Sequence, residues 1–280
     1  MTTYLVATDL SERGDRALQR AFDLAARNGA ELVLTSVVDD TLPDDIAQRL
    51  SAEIAARLER MAAAIAATTP GTPSYRVDVR IADPAQAIAG LAAETGAALL
   101  MLGLHRLGGF DLMRDTTMQR VARMSPCPVL LVREPVDGPY RNVVAAIDFS
   151  PAAAAAVRMA AQIAPDARIR PVHAMHVPYK TLMARSGTAA DFAPFRREAE
   201  SARAAWHEAE RLPAGVPEVE IVEGSMAEVI SEALHREQAT LLALGAHARS
   251  GISGWLTGSH CTGLMRDPPC DLLIVRPGSA

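Results

Sequence analysis

The chain spells out the same order of elements twice. Tyr4-Leu-Val-Ala-Thr-Asp-Leu-Ser11 returns as Val143-Val-Ala-Ala-Ile-Asp-Phe-Ser150, and Leu99-Leu-Met-Leu-Gly-Leu-His105 returns as Leu241-Leu-Ala-Leu-Gly-Ala-His247. Pro126-Cys127-Pro-Val-Leu-Leu-Val-Arg133 returns as Pro269-Cys270-Asp-Leu-Leu-Ile-Val-Arg276. The offsets are 139, 142 and 143, so the halves differ only by small loop insertions. A unit of this size is a duplicated domain, too long for a solenoid repeat. The expected domains are residues 1–136 and 137–280, joined by a linker of proline, glycine and charge at Arg133-Glu-Pro-Val-Asp-Gly-Pro139. Every residue of interest can be weighed against its counterpart in the other half.

Within each half, strands alternate with helical segments. Leu5–Thr8, Glu31–Val37, Arg76–Ile81, Ala98–Leu102 and Pro128–Val132 read as the first five strands. Several are unbroken Val/Leu runs, as expected of parallel strands covered on both faces. Ser11 caps a first helix that Asn28-Gly29 ends, Gly96 closes the third, and Ser150-Pro151 pairs a cap with a proline at the first helical position. Pro43–Thr69 reads as a long helix, or a helix with a loop, with Ala189–Leu212 as its counterpart. The fold class is α/β: two tandem doubly wound parallel sheets of five strands, flanked by helices.

A hydrophobic share of 49% in 280 residues suffices for two cores. The net charge of −5 argues against a surface that holds nucleic acid or anionic lipid by bulk charge. No signal peptide is expected, since Asp9 interrupts the first apolar run, and no apolar run approaches a membrane span. Three cysteines, two of them at equivalent positions, suit buried thiols in a reducing cytoplasm better than a disulfide framework.

In a doubly wound sheet a ligand sits beyond the carboxyl ends of the strands at the switch point, here between the first and fourth strands of each half. Asp9 and Asp148 end the first strands, and Gly103 and Gly245 end the fourth. Capping and tight-turn roles explain an Asp and a Gly nearly as well as binding does. In the second half, glycine after the strand admits a phosphate closely, and Gly258-Ser259 opens the next helix with free N–H groups. Arg249 adds a positive charge above it. The loop is neither a Walker A motif nor the Gly-x-Gly-x-x-Gly dinucleotide fingerprint.

The first-strand Asp, the Gly-x-His after the fourth strand, the Gly-Ser helix start and the Cys-Pro-Val-Leu-Leu-Val ending together resemble the universal stress protein family, across essentially the whole chain. The resemblance implies a Rossmann-like fold of the adenine nucleotide alpha hydrolase type. It also implies a stress-response protein of the cytoplasm that binds an adenine nucleotide. Nucleotide-binding members carry Gly-x-x-Gly, nine residues, then Gly-Ser/Thr. The second half matches at Gly245, Ala248, Gly258 and Ser259, with alanine in place of the second glycine. By the same resemblance Asp148 would face the ribose or a magnesium ion, and Ala174, just after the second strand, would lie near the adenine. His105 and His247 follow the site glycines, where touching a ligand and capping a strand end are equally good readings. ATP is the expected ligand, with magnesium accompanying it.

The first half departs further. Arg106 replaces the second glycine, the loop is one residue shorter, and Asp115-Thr116 stands where Gly258-Ser259 opens the helix. A carboxylate 4 Å from a phosphate charge costs roughly 4 kcal/mol at an effective dielectric of 20. Thr116-x-x-Gln119 also makes a capping box that satisfies the helix internally. The first site therefore reads as degraded.

His173 and His176 flank the end of the second strand, with Thr35 and Val38 or their neighbours as counterparts. Three apart on a strand they point to opposite faces, which does not suit zinc. Cys261 sits near the Gly258-Ser259 helix start, where packing is a better reading than thiol reactivity. No catalytic Ser-His-Asp or Cys-His set emerges, and catalysis is not needed to explain any residue. Two alternatives remain: slow magnesium-dependent ATP hydrolysis aided by Asp148, and a scaffold that has lost nucleotide binding. The resemblance also implies that the last strands, Val129–Val132 and Leu272–Val275, pair within one chain as a pseudo-dimer of the two domains, with a homodimer as a further expectation.

Overall fold

The computed structural model describes residues 2–104, 117–176, 193–246, 264 and 267–276. In the first half β1 (Thr3–Ala7) leads to α1 (Glu12–Asn28), β2 (Glu31–Val38), α2 (Asp44–Thr68), β3 (Tyr75–Ile81), α3 (Pro84–Glu94), β4 (Leu99–Gly103), α4 (Thr117–Met124) and β5 (Val129–Val132). The second half continues with β6 (Asn142–Ala146), α5 (Pro151–Ile163), β7 (Arg168–Met175), α6 (Ala193–Ala209), β8 (Glu220–Glu223), α7 (Met226–Glu237), β9 (Leu241–Gly245) and β10 (Asp271–Val275).

The punctuation follows local chemistry. Ser11 accepts from the Gly14 N–H and Ser150 from the Ala153 N–H, so hydroxyls cap α1 and α5 at the same place in each half. Gly29 ends α1 in the left-handed region at φ 62°. Residues 44–68 form one continuous helix rather than a helix and a loop. The fourth strand of the first half is shifted by one residue from the expected Ala98–Leu102, and Gly103 and Gly245 are the last residues of the fourth strands.

The strand order is β3-β2-β1-β4-β5-β10-β9-β6-β7-β8. Each half supplies five strands, parallel throughout, and the two sets join edge to edge in one sheet. The join is antiparallel: Leu131 pairs with Leu272, Leu130 with Leu273, and Val129 with Ile274. All six residues are buried. Two apolar layers cover the sheet. One packs α1, α2, α5 and α6 on one face through residues such as Phe22, Leu58, Val157 and Trp206. The other packs α3, α4 and α7 on the opposite face through Ile88, Val121, Val229 and Ile230. The alanine run Ala152–Ala156 is buried along its whole length, which lets α5 lie close to the strands beneath it.

The linker is pinned by a buried cluster that sequence did not reveal. Asp271 opens β10 where the first half has Pro128, and its side chain is 1% exposed. One carboxylate oxygen accepts the Arg133 N–H at 2.8 Å and the Glu134 N–H at 3.1 Å. The other accepts the Tyr140 hydroxyl at 2.5 Å and lies 3.7 Å from Arg20 Nε. The Arg20 guanidinium stacks over the Tyr140 ring and donates to the Gly138 carbonyl at 2.8 Å. Burial pushes the Asp271 carboxyl up against the pull of these donors, and burial next to Asp271 holds the Tyr140 phenol well above its usual range.

Candidate functional site

The sheet order reverses between β1 and β4 and again between β6 and β9, so each half has one switch point at the carboxyl ends of its strands. The residues there are held by the same local device. Asp9 and Asp148 each accept the N–H of the serine two residues on, at 3.0 Å in both cases. The intervening residues, Leu10 and Phe149, both take φ 59°, a left-handed conformation uncommon for such side chains. Strain kept at matching points in both halves marks a turn whose shape matters.

The two strand-end glycines have a packing cause. A Cβ on Gly245 would stand 2.3 Å from Ala153 N and 2.4 Å from Ala152 C, and one on Gly103 would stand 2.5 Å from Arg13 O. Each glycine therefore seats the first turn of α5 or α1 directly on the neighbouring strand. Gly245 is buried, and its equivalent Gly103 lines the first-half cleft.

In the second half a small crevice of about 70 Å³ is lined by Asp148, His173, Ala174, Met226, Val229 and Ile230, among others. Asp148 and Ala174 are thus brought together, although Ala174 lies inside β7 rather than just after it. Its side chain packs toward α7, with Val172 and Met226. His247, Ala248, Gly258 and Ser259, like Arg249 and Cys261, lie outside the described residues, so the crevice seen here is the strand-end part alone.

His173 is held by contacts that sequence did not reveal. Its Nδ1 is 2.8 Å from the Ile147 carbonyl oxygen, and its ring lies 4.4 Å from that of Phe149 at 34°. Phe149 in turn meets Trp206 edge-on, and Trp206 donates its indole N–H to the Ser150 carbonyl at 3.0 Å. The counterpart assignment also shifts by one. Ala7 pairs with Thr35 and Ala146 with Val172, so Ser36 matches His173, Val37 matches Ala174 and Asp39 matches His176.

In the first half the described residues form a cleft of about 280 Å³. Its lining includes Thr8, Asp9, Ser11, Arg13, Ser36 and Thr117 over an apolar floor of Val37, Ile88, Leu102 and Val121. That volume stands close to the lower end of ligand pockets. The expectation that this half has lost its site rests on Arg106, Asp115 and Thr116, all outside the described residues. Gln119 of the expected capping box is in α4 and 2% exposed.

Among the described residues no three His, Cys, Asp or Glu side chains converge as metal ligands, and no helix is long and apolar enough to cross a membrane. Cys127 and Cys270 are buried free thiols. Burial pushes both up, Cys270 to about 12, which makes them packing residues rather than nucleophiles.

The duplicated crevice meets its relatives here. The model of the universal stress protein family matches residues 1–133 and again 139–276. The chain belongs to the universal stress protein family. Single-domain relatives match about half of it. A universal stress protein of Thermus aquaticus is 34% identical over 137 residues, 47% of this chain and 98% of that protein. A putative universal stress protein of Staphylococcus haemolyticus is 26% identical over 165 residues, 53% of this chain and 97% of that one. Among solved structures, a universal stress protein from Archaeoglobus fulgidus covers 99% of this chain and 98% of its own at a TM-score of 0.70 and 18% identity. A putative one from Pseudomonas aeruginosa covers 99% and 94% at 0.64 and 19%. At these identities the structures establish the fold, a tandem of two universal stress protein units.

Proposed function

We propose that this tandem universal stress protein acts in the cytoplasm as a stress-response regulator that binds an adenine nucleotide, ATP, mainly through residues 137–280. The observation that carries the reading is the strained turn at Phe149, which holds Asp148 in the lining of the second-half crevice together with Ala174. A flat base fits the apolar wall of Met226, Val229 and Ile230. Asp148 stands on the ribose side, where it would also hold a magnesium ion that accompanies the phosphates. Gly258-Ser259, with His247 and Ala248 nearby in sequence, would take the phosphates at a helix start. Bound nucleotide changes which partner surface the protein presents, and the two halves form a pseudo-dimer within the chain.

A second reading has its own support: residues 1–136 hold a cleft of about 280 Å³ lined by Asp9 and Gly103. Titration calorimetry with ATP and magnesium separates them. About one site per chain, weakened a hundredfold or more in Gly258→Asp by a penalty of a few kcal/mol, fits the first reading. A site that survives Gly258→Asp fits the second. Magnesium-dependent phosphate release lost in Asp148→Asn would mark a slow ATPase, and no binding at all a scaffold.

A further inference from the structure

The three residues that flank Asp148 are all held from outside their own turn. The Ile147 carbonyl lies 2.8 Å from His173 Nδ1, which donates because a carbonyl oxygen only accepts. The Phe149 ring meets His173 at 4.4 Å and Trp206 edge-on at 6.1 Å. The Ser150 carbonyl accepts the Trp206 indole N–H at 3.0 Å. That carbonyl also takes its helix bond from Ala154, at 3.3 Å against 2.9 Å for the matching bond from Asp15 to Ser11. Trp206 is 4% exposed and makes its contacts from α6, in the apolar layer on the other face of the sheet from Met226, Val229 and Ile230. It therefore grips the turn from behind the crevice. Phe149 at φ 59° keeps a conformation that persists only where the surroundings fix it.

We propose that Trp206 is a positioning residue: by bonding Ser150 and bracing Phe149 it holds the left-handed turn that keeps Asp148 in the crevice. The assignment rests on the reading that the crevice takes a nucleotide, and adds to it the residue that readies the site. Asp148 serves a ribose hydroxyl or a magnesium ion only from a fixed place, and a turn fixed beforehand spares binding that ordering cost. Without the indole donor the turn relaxes and Asp148 leaves its place. The coupling is reciprocal, so a ligand that engages Asp148 changes the surroundings of the indole N–H. The first half holds its turn by other means. Leu10 replaces Phe149, and Arg57 of α2, an exposed side chain, reaches the Leu10 carbonyl at 3.4 Å. A long exposed guanidinium at that distance fixes a turn less firmly than a buried indole at 3.0 Å, which separates the halves in the direction the nucleotide reading requires.

The test measures ATP binding to the full chain with magnesium present, at a temperature where every variant is folded. Trp206→Phe keeps a ring against Phe149 but loses the N–H, and should weaken binding about tenfold. Asp148→Asn should weaken it at least as much, and adding Trp206→Phe to Asp148→Asn should cost little more, because both changes act through one carboxylate. The second readout is the indole N–H signal of Trp206 in nuclear magnetic resonance. The chain has two tryptophans, and either Trp206→Phe or Trp255→Phe assigns their signals, so this readout stands even if Trp206→Phe folds poorly. Saturating ATP should shift the Trp206 signal, although the indole lies behind the crevice. A purely structural tryptophan would not respond. Unchanged ATP affinity in Trp206→Phe, losses that add in full with Asp148→Asn, or a Trp206 signal that stays in place at saturation overturns the assignment while leaving nucleotide binding intact. Wild-type protein that binds no ATP overturns the nucleotide reading and this assignment with it.

Discussion

Arg133 and Arg276 stand at equivalent places in the two halves and make the same reach in opposite directions. Arg133 donates to the carbonyl of Pro268, and Arg276 donates to the carbonyl of Ser125 at 3.2 Å. Ser125 and Pro268 are themselves equivalents, just before the last strand of each half. Each half thus ties down the loop that delivers the other's edge strand. Between these ties the register is self-complementary about the Leu130–Leu273 pair. The seam is therefore braced from both ends as well as zipped by backbone bonds.

Cutting the seam should expose what it covers. Residues 1–137 alone would present Val129–Val132, wholly buried in the full chain, as an open apolar edge. This fragment is expected to self-associate or precipitate in sedimentation experiments at concentrations where the full chain stays dispersed. A well-behaved monomeric fragment would contradict the account of the join.

Asp271 should be the most sensitive polar residue of the seam. Asp271→Ala strands two N–H groups, the Tyr140 hydroxyl and the Arg20 guanidinium in a buried place. A loss of about 3–5 kcal/mol is expected, the usual cost of removing one partner from a buried charge pair. Asp271→Asn keeps acceptor capacity for the linker N–H groups and should cost clearly less. Denaturant midpoints of the two variants check the order.

The glycines sort by what surrounds them. Gly245→Ala and Gly103→Ala push a methyl into helix backbone at 2.3 Å and 2.5 Å, and each should cost about 1–3 kcal/mol or more as overpacking. Gly90, inside α3, meets nothing closer than Glu94 Oε1 at 3.9 Å. Gly90→Ala should therefore stabilise, by about 0.5–1 kcal/mol, from helix propensity and a less flexible unfolded chain. Thermal unfolding of the three variants gives opposite signs.

The buried thiols predict an alkaline limit. A Cys270 thiol raised to about 12 keeps its proton in the folded state at a pH where the unfolded chain has lost it. Its contribution is complete below the ordinary thiol value of 9.0 and is lost as pH rises from there toward about 12. Cys127 and Tyr140 shift the same way, so stability should fall on the alkaline side. At neutral pH, peptide mapping after brief alkylation should find Cys127 and Cys270 unmodified in native protein and modified only after denaturation. Rapid native labelling of either would refute their burial.

Much of the fold was legible because its signals are local. Ser11, Gly29 and Ser150-Pro151 act within one turn of their own position, and unbroken apolar runs such as Leu99–Leu102 have few alternatives to a covered parallel strand. The repeat then placed Asp148 and Gly245 at one end of a sheet, and the family resemblance added Ala174. What it could not convey is which neighbour each residue meets. Gly245 seemed as much a ligand glycine as a packing one until the backbone of Ala152 and Ala153 came within reach of its missing Cβ. His173 looked like a weak metal candidate because its partners, Ile147 O and Phe149, come from another strand and another turn. Arg20 and Asp271 stand near opposite ends of the chain, and only the paired edges bring them together. The one hint was a carboxylate where the other half has proline.

That last contrast bears on how such a molecule can change over generations. In a dimer of identical single-domain chains every substitution appears on both sides of the axis, so a residue useful on one side must be harmless on the other. With both copies encoded in one chain, Asp271 can clasp the linker on one side while Pro128 occupies the matching place on the other. The same freedom lets β7 carry a histidine locked against Ile147 and Phe149 where β2 carries Ser36. Fusion released the two sides from copying one another.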